Sequence, residues 1–243
     1  MKRAPLILIP GIICDRTVWE PQIAALADLA DMEVAEHDAS DSLGALAQRL
    51  LRRAPERFAL AGHSMGGRIA LEVMRRAPER VTKLALMDTG FEARRDGKAG
   101  ETETAGRYRL LEIARTQGMR AMGTQWLQKM IHPDRCDDMQ ITTAILDMIE
   151  RVAVEKYAAQ IQALLHRQEA LSVLTQIRCP TLILCGREDA WSPLQRHQQM
   201  NALIPGSHLI VIEHCGHMST LERPQQVADA MRKWMEEEEV DSR

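Results

Sequence analysis

Between residues 58 and 71 the chain reads FALAGHSMGGRIAL, and its hydrophobic pattern changes period across a cluster of three glycines. FALA is an unbroken apolar run of the kind that fills a buried strand, whereas RIALEVMRRA, from residue 68, spaces its apolar residues as a helix does. The join is a few residues long and sets Gly62, Gly66 and Gly67 around Ser64. Glycine at such a boundary marks backbone that goes where a side chain would clash. A strand that turns this sharply into a helix belongs to an architecture in which the two alternate, and Ser64 stands at the apex of the turn.

The rest of the chain repeats that alternation. PLILIPG (5–11), MEVAEHDA (32–39) and VTKLALMD (81–88) read as strands, and WEPQIAALADLA (19–30) and SLGALAQRLLRRA (42–54) as helices. After Gly90 it stops. FEARRDGKAGETETAGR (91–107) is polar and reads as a loop or mobile linker, followed by about four helical stretches up to residue 170. Their apolar surface comes largely from Met119, Met122, Trp126, Met130, Met139, Ile145, Met148 and Ile149. Alternation resumes with the strand CPTLILCGRED (179–189), a helix SPLQRHQQMNALI (192–204) with Ser192 at its cap and Pro193 first, the strand HLIVIEHCGHM (208–218), and a last helix from Pro224. The final EEEEVDSR reads as a solvated terminus.

This order predicts an α/β fold with a mostly parallel, doubly wound sheet. Residues 1–90 and 171–243 form its core, and 91–170 are a helical insertion. Thioether side chains adapt to varied apolar shapes, which suits a methionine-rich insertion to the role of a substrate lid.

Charge narrows the partners. Thirty-one basic residues against 34 acidic ones give a formal charge of −3 with no long basic run, so there is no electrostatic footprint for nucleic acid. The expected partner is a small neutral or weakly charged molecule. No apolar stretch approaches the roughly 20 residues a membrane helix needs, and MKRAPLILIPG is broken too early by proline and glycine for a secretory signal. The chain is read as cytoplasmic. Its five cysteines are odd in number and scattered, as reduced thiols packed like small hydrophobes are. A metal site would have to gather His214, Cys215 and His217 with Cys185, but neighbours in one loop seldom converge on a tetrahedral ion; no metal is expected.

A serine hydroxyl is a weak nucleophile and needs a base to take its proton, and that base needs an acceptor to fix its tautomer. Both partners occur where a parallel sheet would put them. Asp189 follows the strand TLILCG, and His217 follows HLIVIE, so both fall at carboxyl ends of strands, on the same sheet edge as Ser64. Asp88, at the end of LALMD, is the alternative acid. His63, beside the serine, reads as support for the turn, and His208 and His214 as structural or exposed.

With GHSMGG as a nucleophile elbow, GREDAWSP as an acid loop and HCGHMSTLERP as a histidine loop, the sequence resembles the α/β-hydrolase superfamily over nearly its whole length. It is most similar to small lidded esterases and lactonases of the pimeloyl-carrier-protein methyl esterase and 3-oxoadipate enol-lactonase types. The resemblance implies a cap inserted after the sixth strand in the family's count, an acyl-enzyme formed on Ser64, and no cofactor. It implies oxyanion donors from the amide of Met65 and from the PGIICD loop, where Ile12 is preferred and Ile13 is the alternative. The family commonly has His-Gly where this chain has Pro10-Gly11. Ile13, Trp126 and Trp191 are candidates to line the substrate pocket, with Trp19 near its mouth. Arg68 is expected to point off its helix into solvent, with facing the pocket as the alternative, and Cys14 has no base beside it. The same triad suits a lactone, a carbon–carbon bond beside a ketone, or acyl transfer. A hydrolase-like protein that binds a ligand without turning it over is the reading from outside enzymology.

Overall fold

Every residue of Phe58–His63 and of Thr181–Gly186 is buried, as apolar runs require of strands covered on both faces. These are β3 and β5 of a six-stranded sheet in the computed structural model, which describes residues 3–238. The others are β1 (Ala4–Ile9), β2 (Ala30–Val34), β4 (Val81–Met87) and β6 (His208–Ile212). All neighbours pair in parallel, in the order β2-β1-β3-β4-β5-β6. Parallel pairing needs crossover connections, and helices supply them. They are α1 (Glu20–Ala25), α2 (Leu43–Arg53), α3 (Met65–Arg76), α4 (Gly97–Gln117), α5 (Met119–Leu127), α6 (Met139–Glu150), α7 (Val154–Leu165), α8 (Leu171–Leu174), α9 (Leu194–Leu203), α10 (Ser219–Glu222) and α11 (Pro224–Glu236). Helix α1 packs on α11, α2 on α3, and α3 lies directly against β3 and β4.

The chain leaves the sheet after β4 and re-enters at β5, with helices α4 to α8 between them. Its two ends run side by side, with the Ala170 amide donating to the Phe91 carbonyl at 3.0 Å. Four expectations from the sequence need correction. The polar stretch 91–107 is not all loop: α4 begins at Gly97, and its Glu103 and Arg107 form an (i, i+4) ion pair turned inward, joined there by Arg167. The strand expected over 32–39 ends at Val34, because the chain turns away and His37 donates to the Pro10 carbonyl at 2.9 Å. Ser192 does not cap α9; Pro193 holds that position, and the Ser192 amide is drawn to Asp189 instead. Met139 is 77% exposed at the start of α6, whereas Met119, Met122, Met130 and Met148 are buried. Of the expected solvated tail, residues 239–243 lie outside those described. Among the described residues no helix is long and apolar enough to cross a membrane.

Candidate active site

Ser64 sits between the end of β3 and the start of α3 with φ 55° and ψ −116°, in the left-handed region that non-glycine residues avoid. Such strain costs about 1–3 kcal/mol and persists only where the surroundings impose it. Glycines impose it here. A Cβ on Gly62 would come within 2.4 Å of the Gly66 carbonyl oxygen, and one on Gly66 within 2.1 Å of the Ile9 carbonyl oxygen. Helix α3 can therefore start almost in contact with β1 and β3. The Ser64 amide donates to Met87 O at 2.8 Å, and the Thr89 hydroxyl donates to Ser64 O at 2.6 Å, so the turn is pinned from β4 as well.

The other two predicted residues arrive from the same edge. His217 Nε2 is 2.8 Å from Ser64 Oγ, and His217 Nδ1 is 2.7 Å from Asp189 Oδ2. Asp189 Oδ1 accepts from the amides of Trp191 and Ser192, both at 2.8 Å, which fixes the carboxylate. All three are more than 90% buried except the serine, which faces a cavity. Burial alone would push the Asp189 carboxyl up, but the imidazole of His217 outweighs it and holds the group below its ordinary range. Burial would likewise lower His217; the charge and hydrogen bond of Asp189 overcome it and raise the imidazole above 6.5.

Asp88 does not compete for the imidazole. Its Oδ1 accepts from the Gly186 amide at 3.0 Å and its Oδ2 contacts the Ser219 hydroxyl. Burial, with the nearby charge of Asp189, raises this carboxyl well above its usual range. His63 donates through Nε2 to the His217 carbonyl at 2.8 Å, and burial lowers it to about 3. It is a neutral prop for the histidine loop. Burial pushes the Cys14 thiol up to about 12, so it carries almost no thiolate, and all five cysteines are unbridged.

The family model described as the alpha/beta hydrolase family matches residues 6–230. The chain belongs to that family. A pimeloyl-[acyl-carrier protein] methyl ester esterase from Nitrosomonas europaea is 25% identical, over 91% of both chains. An (E)-2-((N-methylformamido)methylene)succinate hydrolase from Acinetobacter baylyi is 26% identical, over 96% of this chain and 90% of its own. Among solved structures, a thermophilic esterase from Thermogutta terrifontis superposes with a TM-score of 0.83 at 26% identity, covering 96% of this chain and 90% of that one. The enol-lactonase from Burkholderia xenovorans shares the fold, with a TM-score of 0.82 at 20% identity over 97% and 92%.

In this alpha/beta hydrolase a cavity of about 490 Å³ opens over Ser64, walled by Ile12, Met65, Trp126, Met130 and Trp191 and by residues of α4 and α7. Trp126 and Trp191 both line this cavity. Ile13 does not: its side chain is fully buried, and its amide donates to Gln160 Oε1 of α7 at 3.0 Å. Trp19 is also sealed in the core, edge-on to His63. Among the described residues the amides of Ile12 and Met65 donate to no protein group. Arg68 takes the less favoured of its two expected positions and lines the cavity.

Three supporting residues escaped the sequence reading. Gln160 occupies the Ile13 amide from 147 positions away. Thr89 ties Ser64 to His197, whose Nε2 accepts from the Thr89 amide at 3.0 Å. Glu222, in the short helix α10, is buried and accepts from the amides of His132, Gly216 and Met218 at 2.7–3.1 Å, holding the histidine loop. No spacing rule flags any of them. One group among the described residues has metal-ligating proximity: His132, Asp134 and His214 offer donor atoms within 4.8 Å of one another. Two of the three are exposed, and none lines the cavity.

Proposed function

We propose that this alpha/beta hydrolase cleaves a carboxylic ester of a small molecule through an acyl-enzyme. Ser64 Oγ attacks the carbonyl carbon while its proton passes to His217 Nε2, and Asp189 holds the imidazole in the tautomer that can accept it. The imidazolium then returns the proton to the departing alkoxide, leaving the acyl group on Ser64. Water then attacks the acyl carbon while losing a proton to His217, and as the bond to Ser64 Oγ breaks the imidazolium returns that proton to Oγ, releasing the acid and restoring the serine. The carbonyl oxygen gains charge in both halves, and the unpaired amides of Ile12 and Met65 receive it; Met65 stands at the first turn of α3, where the helix dipole also favours an anion. Gln160 supports the choice of Ile12, because it already occupies the amide of Ile13. The helices between residues 91 and 170 act as a cap that roofs the cavity and selects the substrate. None of these steps needs a cofactor.

The observation that carries the reading is the unbroken relay of 2.8 and 2.7 Å from Ser64 through His217 to Asp189, ending at a cavity with two unpaired amides. The test is hydrolysis of p-nitrophenyl esters from acetate to decanoate by the unmodified protein and by Ser64→Ala, with mass spectrometry after an acylating inhibitor. Turnover and a covalent adduct on Ser64, both lost in the variant, are expected. Near-normal turnover by Ser64→Ala sinks the assignment, and a ligand bound without turnover of any ester would make the protein a binder.

A further inference from the structure

The chain is net negative, yet its cavity is not. Arg68, Arg107, Arg167 and Arg196 line it, with the exposed Arg109 and Lys129, against a single acidic lining residue, Glu103. Three of the four inner arginines have carboxylate partners. Arg107 and Arg167 share the Glu103 carboxylate through contacts of 2.8–3.0 Å, and Arg196 pairs with Glu92 at 2.9 Å. Arg68 is different. Its Nη1 donates to the backbone carbonyl of Glu92 at 2.8 Å, and among the described residues no carboxylate lies in ion-pair contact with it. Burial, with the charges of Arg167 and Arg196, lowers its guanidinium below the ordinary arginine range, and the Glu92 carboxylate nearby offsets only part of this. A partly buried cation kept among other cations is costly unless an anion completes it.

The location says which anion matters. Arg68 follows Ser64 by four residues on α3, about 6 Å of helical rise, and both line the same cavity. Gly90 lets Arg68 pack there, since a Cβ on it would meet Arg68 Nη2 at 2.9 Å. Trp126, Met130, Leu110 and Leu164 supply apolar wall for a short carbon chain between the two ends. Resting on the esterase reading above, we infer that the substrate carries a carboxylate, bound by the Arg68 guanidinium while the ester lies at Ser64. A half-ester of a short dicarboxylic acid has that form. The planar fork of arginine matches a carboxylate with two parallel hydrogen bonds, which lysine does not reproduce.

The experiment compares kcat/KM for the monomethyl and dimethyl esters of succinate, glutarate, adipate and pimelate. The half-ester of at least one chain length is expected to be preferred about tenfold or more, the range of one charge-assisted pair. Arg68→Gln is expected to lower that half-ester to diester ratio at least tenfold, with Arg68→Lys in between, and thermal unfolding confirms that each variant folds. Arg232→Gln, which breaks an exposed pair with Asp28, leaves the ratio where it was. A preference for the diester at every length, or a ratio that Arg68→Gln does not move, overturns the inference. Calorimetric binding of the free dicarboxylates to Ser64→Ala, with and without Arg68→Gln, decides the matter independently of turnover. If the unmodified protein hydrolyses no ester, the catalytic reading fails, while Arg68-dependent binding would still uphold carboxylate recognition and its absence would refute it.

Discussion

Gly66→Ala is the substitution that tests most sharply whether the elbow positions the chemistry. The added methyl carbon would lie 2.1 Å from the Ile9 carbonyl oxygen and 2.7 Å from that of Pro10. Both contacts are backbone, so no rotamer change relieves them. To reach even 3.0 Å from Ile9, α3 and β1 must part by about 0.9 Å. Overpacking of this kind costs about 1–3 kcal/mol or more, at roughly 2–4 °C of Tm per kcal/mol for a chain of this size. The functional cost is separate. Ser64 and the Met65 amide ride on α3, whereas Ile12 follows β1, so the parting opens the space between the two amides. A misplacement near 1 Å costs on the order of 100-fold in rate. Ester hydrolysis and circular-dichroism melting of the same preparation measure both terms. A folded Gly66→Ala protein is expected to lose about 100-fold in kcat/KM and several degrees in Tm. Activity within threefold of the unmodified protein, at unchanged Tm, would refute the reasoning.

Three further outcomes follow from the site. His217 must be neutral to accept the Ser64 proton, and its pKa is raised above 6.5, so kcat/KM should climb with pH through a midpoint above 6.5. Asp189→Asn removes the largest of the charges that raise it against burial: the midpoint should move down and kcat should fall by about 10⁴. Gln160→Leu leaves the buried Ile13 amide without its acceptor, at a cost of about 1–3 kcal/mol. It should lower the melting temperature and slow hydrolysis by loosening the loop that carries Ile12; an unchanged melting curve would count against the role given to Gln160.

How much of this was legible in the sequence depends on what fixed each position. Ser64, Asp189 and His217 follow strands whose direction is set by alternation, and a parallel sheet brings the carboxyl ends of those strands to one edge. Their meeting needed only local pattern and topology. Asp88 occupies the same kind of position, and pattern alone ranked it behind Asp189 only by context; its engagement with Gly186 and Ser219 separates the two. The contacts of Arg68, Gln160 and Ile13 were not legible. A residue one turn along a surface helix reads as solvated until the insertion folds over it, and α4 and α7 reach that place from outside the alternating pattern. Helix α4 itself was obscured because two of its charged residues, Glu103 and Arg107, face inward as an ion network with Arg167, which reverses the usual meaning of a charged run.

The segment after α5 is fastened to the histidine loop. The His217 amide donates to Met130 O at 2.7 Å, the His132 amide donates to Glu222 at 2.7 Å, and Gly216 lies so close to Ile131 that a Cβ there would approach its carbonyl carbon within 2.7 Å. Met130, in the wall of the cavity, is thus tied directly to the loop that carries the imidazole. A chimera that grafted a foreign segment between β4 and β5 to change specificity would also replace what braces the imidazole, unless residues 130–132 travelled with the graft.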